Sequence, residues 1–384
     1  MRTGQHVLVT GGAGFIGSHA AKALAERGLV PVVYDDLSNG HRGAVQWGPF
    51  VHGDVRDAET LTRAMTDHAI RGVIHFAGLI EVGRSMVEPE AFWDHNLNGV
   101  AAVLAAMRRT GVGRIVFSST AAVYGQPPEG SLAPLREDGA TLPINPYGDS
   151  KLAAERMIAA HCRAYGLTGV ALRYFNAAGA DCGGLIGEAH NPESHLIPLA
   201  IEAALGGRPL TVFGLDFPTP DRSCIRDYVH VSDLAEAHVL ALSADVGATG
   251  FQAVNLGLGQ GHSVLAVIEA VSRATGRPTP WRQGERRAGD PAALVADPSR
   301  AHSLLGWTPR ITALEPIVRS AVAWRQGARY RQFMGGELAR AGVVKASASQ
   351  IPAPAMARRT LGATLKPPRL TGDGRSPADV PEVA

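Results

Sequence analysis

The sequence predicts an α/β protein built on a doubly wound parallel sheet, with a smaller α/β lobe beside it. Three observations carry that prediction. Short apolar, β-branched runs alternate with helical patterns, at a spacing that calls for right-handed crossovers. The first run passes into a helix through three glycines. Residues able to hold a ligand recur at the carboxyl ends of the runs, where an open parallel sheet gathers its ligands.

Val7-Leu8-Val9 reads as a strand buried on both faces. Gly11, Gly14 and Gly17 follow, spaced G-x-x-G-x-x-G. Ser18 to Arg27 then reads as a helix with Ala20, Ala21, Leu24 and Ala25 on one face. Glycines let the backbone turn tightly and approach a pyrophosphate, and the helix start offers that anion free N–H groups and a positive dipole end. Gly11, Gly14, Phe15, Ile16 and Gly17 are the candidate contacts. On the glycines alone, a loop without a ligand stays open.

The next run, Val30-Pro31-Val32-Val33-Tyr34, ends in Asp35-Asp36. Asp35 lies about 20 residues past the glycines, where a carboxylate accepts from ribose hydroxyls. It repels a 2′-phosphate, so NAD is favoured over NADP. Asp36 and Asn39 join the same candidate set. Phe50 to Val55 reads as a third strand ending in Asp54 and Val55, suited to an adenine edge, with a plain turn as the alternative. Gly72 to Gly78 is a fourth, ending in Phe76, Ala77 and Gly78. Small residues there let the cofactor lie against backbone. A helix carrying Leu97, Val100, Val103, Leu104 and Met107 leads to a strand over Arg114 to Thr120.

Residues 126 to 146 form a loop rich in Pro, Gly and charge. Asn145-Pro146 is a helix-start signal. On that helix Tyr147 and Lys151 share one face. The Lys151 ammonium, with the positive charge of an oxidised nicotinamide, is expected to lower the phenol's pKa from about 10 toward neutrality. Tyr147 then serves as general base on an alcohol that loses hydride, and Thr120 holds the same oxygen.

The G-x-x-G-x-x-G spacing resembles the extended short-chain dehydrogenase/reductase superfamily. Further blocks narrow the likeness: His75-Phe76-Ala77-Gly78-Leu79, Val82-Gly83-Arg84-Ser85, Val123-Tyr124-Gly125 and Tyr147-Gly148-Asp149-Ser150-Lys151. Arg173-Tyr174-Phe175-Asn176, Arg226-Asp227-Tyr228-Val229-His230-Val231, Asn255-Leu256-Gly257 and Arg287-Ala288-Gly289-Asp290 complete the set. Together they resemble the UDP-glucose 4-epimerase family over residues 6 to 330. The resemblance implies a Rossmann-type sheet, a smaller substrate-binding lobe and tightly bound NAD. It implies interconversion of UDP-glucose and UDP-galactose through a 4-keto intermediate, with Tyr147 as base and hydride returning to the other face of the turned sugar.

The same resemblance places Tyr174 with the cofactor. Asn176, Arg226 and Arg287 would bind the diphosphate, since guanidinium forks suit paired phosphate oxygens. Asp290 would accept from a ribose hydroxyl, and Thr211-Val212-Phe213 would lie along the uracil. His195 and Leu196 fall near the sugar, with His195 standing where one branch has Asn. Ile80 stands where that branch has Lys, and His95 where it has Asn. Leu294 occupies the position associated with pocket size, which leaves acceptance of UDP-N-acetylglucosamine open. A homodimer is implied through helices near Val100–Arg109 and Ser150–Tyr165. No metal site is expected.

The domain reading is 1–176 for the NAD-binding part, with later segments such as Val254-Asn255-Leu256 returning to its sheet, 177–330 for the UDP-sugar lobe, and a disordered tail over 337–384. With 19% charged residues and a net charge of +2, neither nucleic acid nor membrane is an expected partner. The chain runs directly into its first strand, so no signal peptide is expected. Cys162, Cys182 and Cys224 are widely spaced and read as reduced thiols of a cytoplasmic protein. A 4,6-dehydratase would need an acid and a base after Thr120, where Ala121-Ala122 stand. A 4-epimerase of UDP-xylose, UDP-arabinose or UDP-glucuronate remains open. A non-catalytic NAD-binding regulator is the rival from another class.

Overall fold

The computed structural model describes residues 1–128, 131–287 and 290–335. The tail expected over 337–384 lies outside the described residues.

Seven strands make the main sheet: β1 (His6–Thr10), β2 (Val30–Asp35), β3 (Phe50–His52), β4 (Gly72–His75), β5 (Arg114–Thr120), β6 (Thr168–Tyr174) and β10 (Phe251–Leu256). Their order is β10-β6-β5-β4-β1-β2-β3 and every pairing is parallel. The chain moves outward from β1 in both directions, so the order reverses between β1 and β4. The crevice at that reversal is where a doubly wound sheet binds its ligand.

Alternation along β1 explains the two-faced core. Leu8 points into a layer with Leu61, Leu104, Met107, Ile115 and Phe117. Val7 and Val9 point the other way, into a layer with Leu24, Ile74, Val116, Leu234 and Trp307. Each fully buried aliphatic side chain stabilises by about 1.5–3 kcal/mol, so a polar residue on either face would be costly.

Helix boundaries follow local chemistry. The first helix runs Phe15–Glu26, three residues earlier than its apolar stripe suggests, with extended Gly14 as its N-cap. The third strand stops at His52, short of Asp54. Asp57 caps the Ala58–Asp67 helix by accepting from the Glu59 and Thr60 amides, each at 3.0 Å. The Pro146–Tyr165 helix starts where Asn145-Pro146 predicts: Asn145 accepts from the Gly148 amide at 2.8 Å, and Gly166 at φ 69° ends it.

Past β6 the chain leaves the sheet. β7 (Asn176–Ala178) pairs with β9 (Ile225–His230), which also takes β11 (Gly261–Ser263) and β13 (Ala293–Leu294). A separate pair joins β8 (Leu210–Phe213) to β12 (Trp281–Gly284). The helices Leu196–Ala204, Val264–Thr275 and Leu314–Gln326 share a core around Ile201, Val267, Val271 and Ile317.

Candidate active site

The glycine turn is packed against the end of β4. Gly11 has φ +69°, and a Cβ there would lie 2.6 Å from the Ala77 nitrogen. A Cβ on Gly17 would fall 2.9 Å from Gly12 Cα. Both positions therefore need glycine for space, and Gly11 also for conformation. Gly14 donates its amide to Gly11 O at 3.2 Å, which closes the turn.

The Phe15–Glu26 helix has neither a side-chain cap nor an acidic residue in its first turn. Its leading N–H groups thus lack an intrahelical acceptor and a competing protein anion. A cradle no Cβ can enter, below an uncapped helix start, fits the diphosphate of a dinucleotide.

Asp35 is buried at the end of β2. It accepts from Ala13 N at 2.9 Å and Leu37 N at 2.8 Å, so it ties down the glycine turn. Burial pushes its carboxyl up, and these two amides hold it down. Each oxygen keeps a lone pair for a hydroxyl. Asp36 accepts from Ser38 N at 2.8 Å, and Asn39 is exposed. Arg56 donates to Asp54 from Nε at 2.9 Å and from its backbone at 2.9 Å, holding the carboxyl at about 2. The carboxylate is engaged by the adjacent guanidinium, so an adenine amine would have to share it. Val55 is buried in the core layer beneath Gly99.

At the end of β4, the Phe76 and Ala77 amides both donate to Thr10 O, at 2.9 and 3.2 Å. The Phe76 ring turns away to pack on His238, 4.6 Å between centroids, so its share in a cofactor site is backbone. Asn96 holds the next turn. Its Oδ1 accepts from Leu79 N at 2.8 Å, and its Nδ2 donates to Leu79 O at 3.1 Å and Ser150 Oγ at 3.0 Å. The neighbouring His95 bonds back to Ala91 O through Nδ1. Asn96 fixes this turn, although nothing local in the sequence sets it apart from His95.

Thr120, Tyr147 and Lys151 meet at the carboxyl end of β5. Lys151 is buried and donates to Ser118 O at 2.9 Å, 4.9 Å above the Phe117 ring. Its Nζ is 3.6 Å from the position a Gly78 Cβ would take, which links the triad to the glycine end of β4. Burial lowers its pKa to about 8, with Glu155 pulling back. Burial pushes the Tyr147 phenol above the ordinary value, and Thr120 alone draws it down. Lys151 is turned to the Ser118 carbonyl and does not supply the lowering by itself. Tyr174 bonds through its hydroxyl to Ser118 Oγ.

Behind the triad runs a buried polar chain that the sequence reading did not assign. Glu155, one turn after Lys151, takes Ser119 Oγ and both Nε and Nη2 of Arg173, at 2.9 and 2.6 Å for the guanidinium. Arg173 Nη1 donates to Tyr124 OH at 3.1 Å, and Tyr124 OH donates to Asn255 Oδ1 at 2.6 Å. Tyr124, Arg173 and Asn255 stand in three of the matched sequence blocks, so their signal was present without its meaning.

On the second lobe the structure brings Arg226, Asp290, Arg287 and Phe213 together. Arg226 Nη2 pairs with Asp290 Oδ1 at 2.6 Å, and Arg287 stacks on the Phe213 ring at 3.9 Å. The expected phosphate and ribose ligands are thus partnered among themselves. Thr211 and Phe213 face outward from β8, whereas Val212 is in the core and has only backbone to offer a base. Asn176 opens β7 opposite Tyr228. His195 caps the Leu196–Ala204 helix, with Nδ1 held by Glu188, and Leu196 packs on the lobe's core. Leu294 pairs with Arg226 across β13 and β9.

With this geometry in hand, residues 7–257 match the model of the NAD dependent epimerase/dehydratase family. The chain is 48% identical over 324 residues to the UDP-glucose 4-epimerase of Halalkalibacterium halodurans, covering 83% of this chain and 95% of that one. It superposes on the Brucella ovis UDP-glucose 4-epimerase in complex with NAD with a TM-score of 0.80 and 50% identity, over 83% of this chain and 97% of that chain. The Bifidobacterium longum enzyme in complex with NAD⁺ and UDP gives 0.78 at 38% identity, over 84% and 98%.

Proposed function

Because the chain belongs to the NAD dependent epimerase/dehydratase family, among its UDP-glucose 4-epimerases, we propose that it interconverts UDP-glucose and UDP-galactose with Tyr147 as proton carrier. The observation that supports this most is the meeting of Thr120, Tyr147 and Lys151 beside the glycine-built end of β4.

NAD, when bound, accepts a hydride from sugar C4 and returns it. The protein manages the proton and the grip. Tyr147 takes the proton of the C4 hydroxyl as general base, and gives it back once the 4-keto sugar has turned. Thr120 holds the same oxygen. The Lys151 charge, together with that of the oxidised cofactor, would favour the phenolate. Ala121 and Ala122 have no group that can transfer a proton, so the 6-hydroxyl is retained. Gly11, Gly14, Phe15, Ile16 and Gly17 would take the diphosphate of the cofactor, and Asp35 its adenosine ribose.

On the substrate side, Asn176, Arg226 and Arg287 would take the nucleotide diphosphate, with Asp290 released toward a ribose hydroxyl. Thr211 and Phe213 would flank the uracil, while His195 and Leu196 border the sugar. Two chains would pair as a homodimer through the Gly99–Thr110 and Pro146–Tyr165 helices. No helix of the described residues is long and apolar enough to cross a membrane, and we place the enzyme in the cytoplasm. Other UDP-sugars inverted at C4 are the alternative substrates, with Leu294 as the side chain that decides on N-acetyl groups.

Tyr147→Phe tests the assignment. Losing a general base costs about 10²–10⁴-fold. The variant should keep its bound NAD and lose turnover by that factor. Turnover within a few-fold of the parent, with the protein folded, would remove Tyr147 from the mechanism.

A further inference from the structure

The segment from Glu188 to His195 carries four donors in one short loop: Glu188, His190, Glu193 and His195. One ligand atom from each lies within 4.8 Å of all the others. Glu188 Oε1 stands 3.2 Å from His190 Nδ1 and closer still to His195 Nδ1, and His190 Nδ1 is 3.8 Å from Glu193 Oε1. The Glu188 and Glu193 side chains are each 6% exposed. Yet Glu193 Oε2 and His190 Nδ1 are buried without a hydrogen-bond partner. Buried polar atoms are rarely left so. Glu193 Oε2 faces Arg325 Nη1 at 3.6 Å, so His190 Nδ1, set between the Glu188 and Glu193 carboxylates, is the atom that marks the place of a further partner.

The loop's backbone is already fixed. Trp324 Nε1 donates to Glu188 O at 2.7 Å, and His41 Nε2 bonds Ala189 O at 2.7 Å. Gly187 lies against the Trp324 indole, where a Cβ would sit 2.6 Å from Cγ. The donors are therefore held by rigid elements.

The geometry points to a binding site for one divalent transition-metal ion, Zn²⁺ by its donor set, on Glu188, His190, Glu193 and His195. Two imidazole nitrogens with two carboxylate oxygens suit zinc, whereas magnesium and calcium prefer oxygen alone. Tetrahedral zinc at about 2.0–2.2 Å from each donor spaces its ligands by about 3.4 Å, so the wider donor pairs close on the ion while Glu188 moves back from the two imidazoles it now bonds. The His195 side chain, 44% exposed, leaves a path for entry. Arg325 Nη1 is 3.6 Å from Glu193 Oε2 and also reaches Glu202, at 3.4 Å from Nη2. It stays outside the ligand set as a counter-charge to the two carboxylates. A bound ion would join β7's exit to the start of the Leu196–Ala204 helix.

The test uses the full chain, stripped with chelator and dialysed against Zn²⁺. We expect one equivalent of zinc by elemental analysis and a rise in Tm of about 4 °C at a hundredfold excess over Kd. Co²⁺ in place of Zn²⁺ should give the visible absorption of a four-coordinate nitrogen–oxygen site. His190→Gln and Glu193→Gln should each weaken zinc at least tenfold, with folding checked by circular dichroism. Zinc far short of one equivalent, or a Co²⁺ spectrum of the free aqua ion, overturns the proposal without recourse to any variant. Equal zinc in folded variants and parent overturns it as well, by placing the ion elsewhere.

Discussion

Gly11→Ala isolates the two demands made on the glycine turn. The first is conformational: φ is +69°, where an alanine is disfavoured by roughly 1–2 kcal/mol. The second is steric, since the new Cβ would sit 2.6 Å from Ala77 N, 2.9 Å from Ala77 Cα and 3.0 Å from Phe76 C. All three are backbone atoms, so neither turn nor strand end can yield by a rotamer change. Overpacking of this kind costs about 1–3 kcal/mol. Gly111→Ala supplies the control: its φ is +72°, and nothing stands within 4 Å of its Cβ. We therefore expect Gly111→Ala to cost about 1–2 kcal/mol and Gly11→Ala about 2–5 kcal/mol, read as urea midpoints at constant m. Only the second should shed NAD, measured as nucleotide released by acid from gel-filtered protein. Equal stability losses, or full NAD retention in Gly11→Ala, would refute the claim that the turn is pressed on β4 to form the cofactor's seat.

Two further predictions concern buried charge. Burial lowers His238 to about 4, with its bond to Leu234 O pulling back. Its folded pKa lies below the unfolded 6.5, so its contribution is whole above pH 6.5 and is lost as pH falls toward 4. His238→Phe should therefore gain on the parent by up to about 3 kcal/mol between pH 7.5 and pH 4, and a constant difference across that range of urea melts would contradict it. Glu155→Gln leaves the Arg173 guanidinium buried and uncompensated, a change worth about 3–5 kcal/mol. A double change of Glu155→Leu with Arg173→Met should be milder than the single one, and the reverse order in thermal melts would show that the pair is not coupled.

Much of this site could be read from the chain because it is built from local signals. Gly11, Gly14 and Gly17 announce a turn that only glycine can make, and Asn145-Pro146 announces the helix that carries Tyr147. Asp35 could be placed because the carboxylate must follow β2. What escaped was set by tertiary contact. Asn96 looks like one more polar residue in a helix, and only the fold brings Leu79 and Ser150 to its amide. Glu155 is four residues past Lys151, but its partner Arg173 comes from β6. Lys151 shows the same limit: spacing puts it on the right face but does not say that the ammonium turns to Ser118 O. Arg226 with Asp290, and Arg287 with Phe213, were chosen as separate ligands, and the fold pairs them.

The most direct measurement follows UDP-galactose given to the purified chain with no added cofactor, the products separated by chromatography. The account predicts UDP-glucose, formed to equilibrium from either side, with NAD recovered from the protein in near-stoichiometric amount. Folded, NAD-loaded protein that inverts C4 of neither UDP-galactose nor UDP-glucose would contradict it.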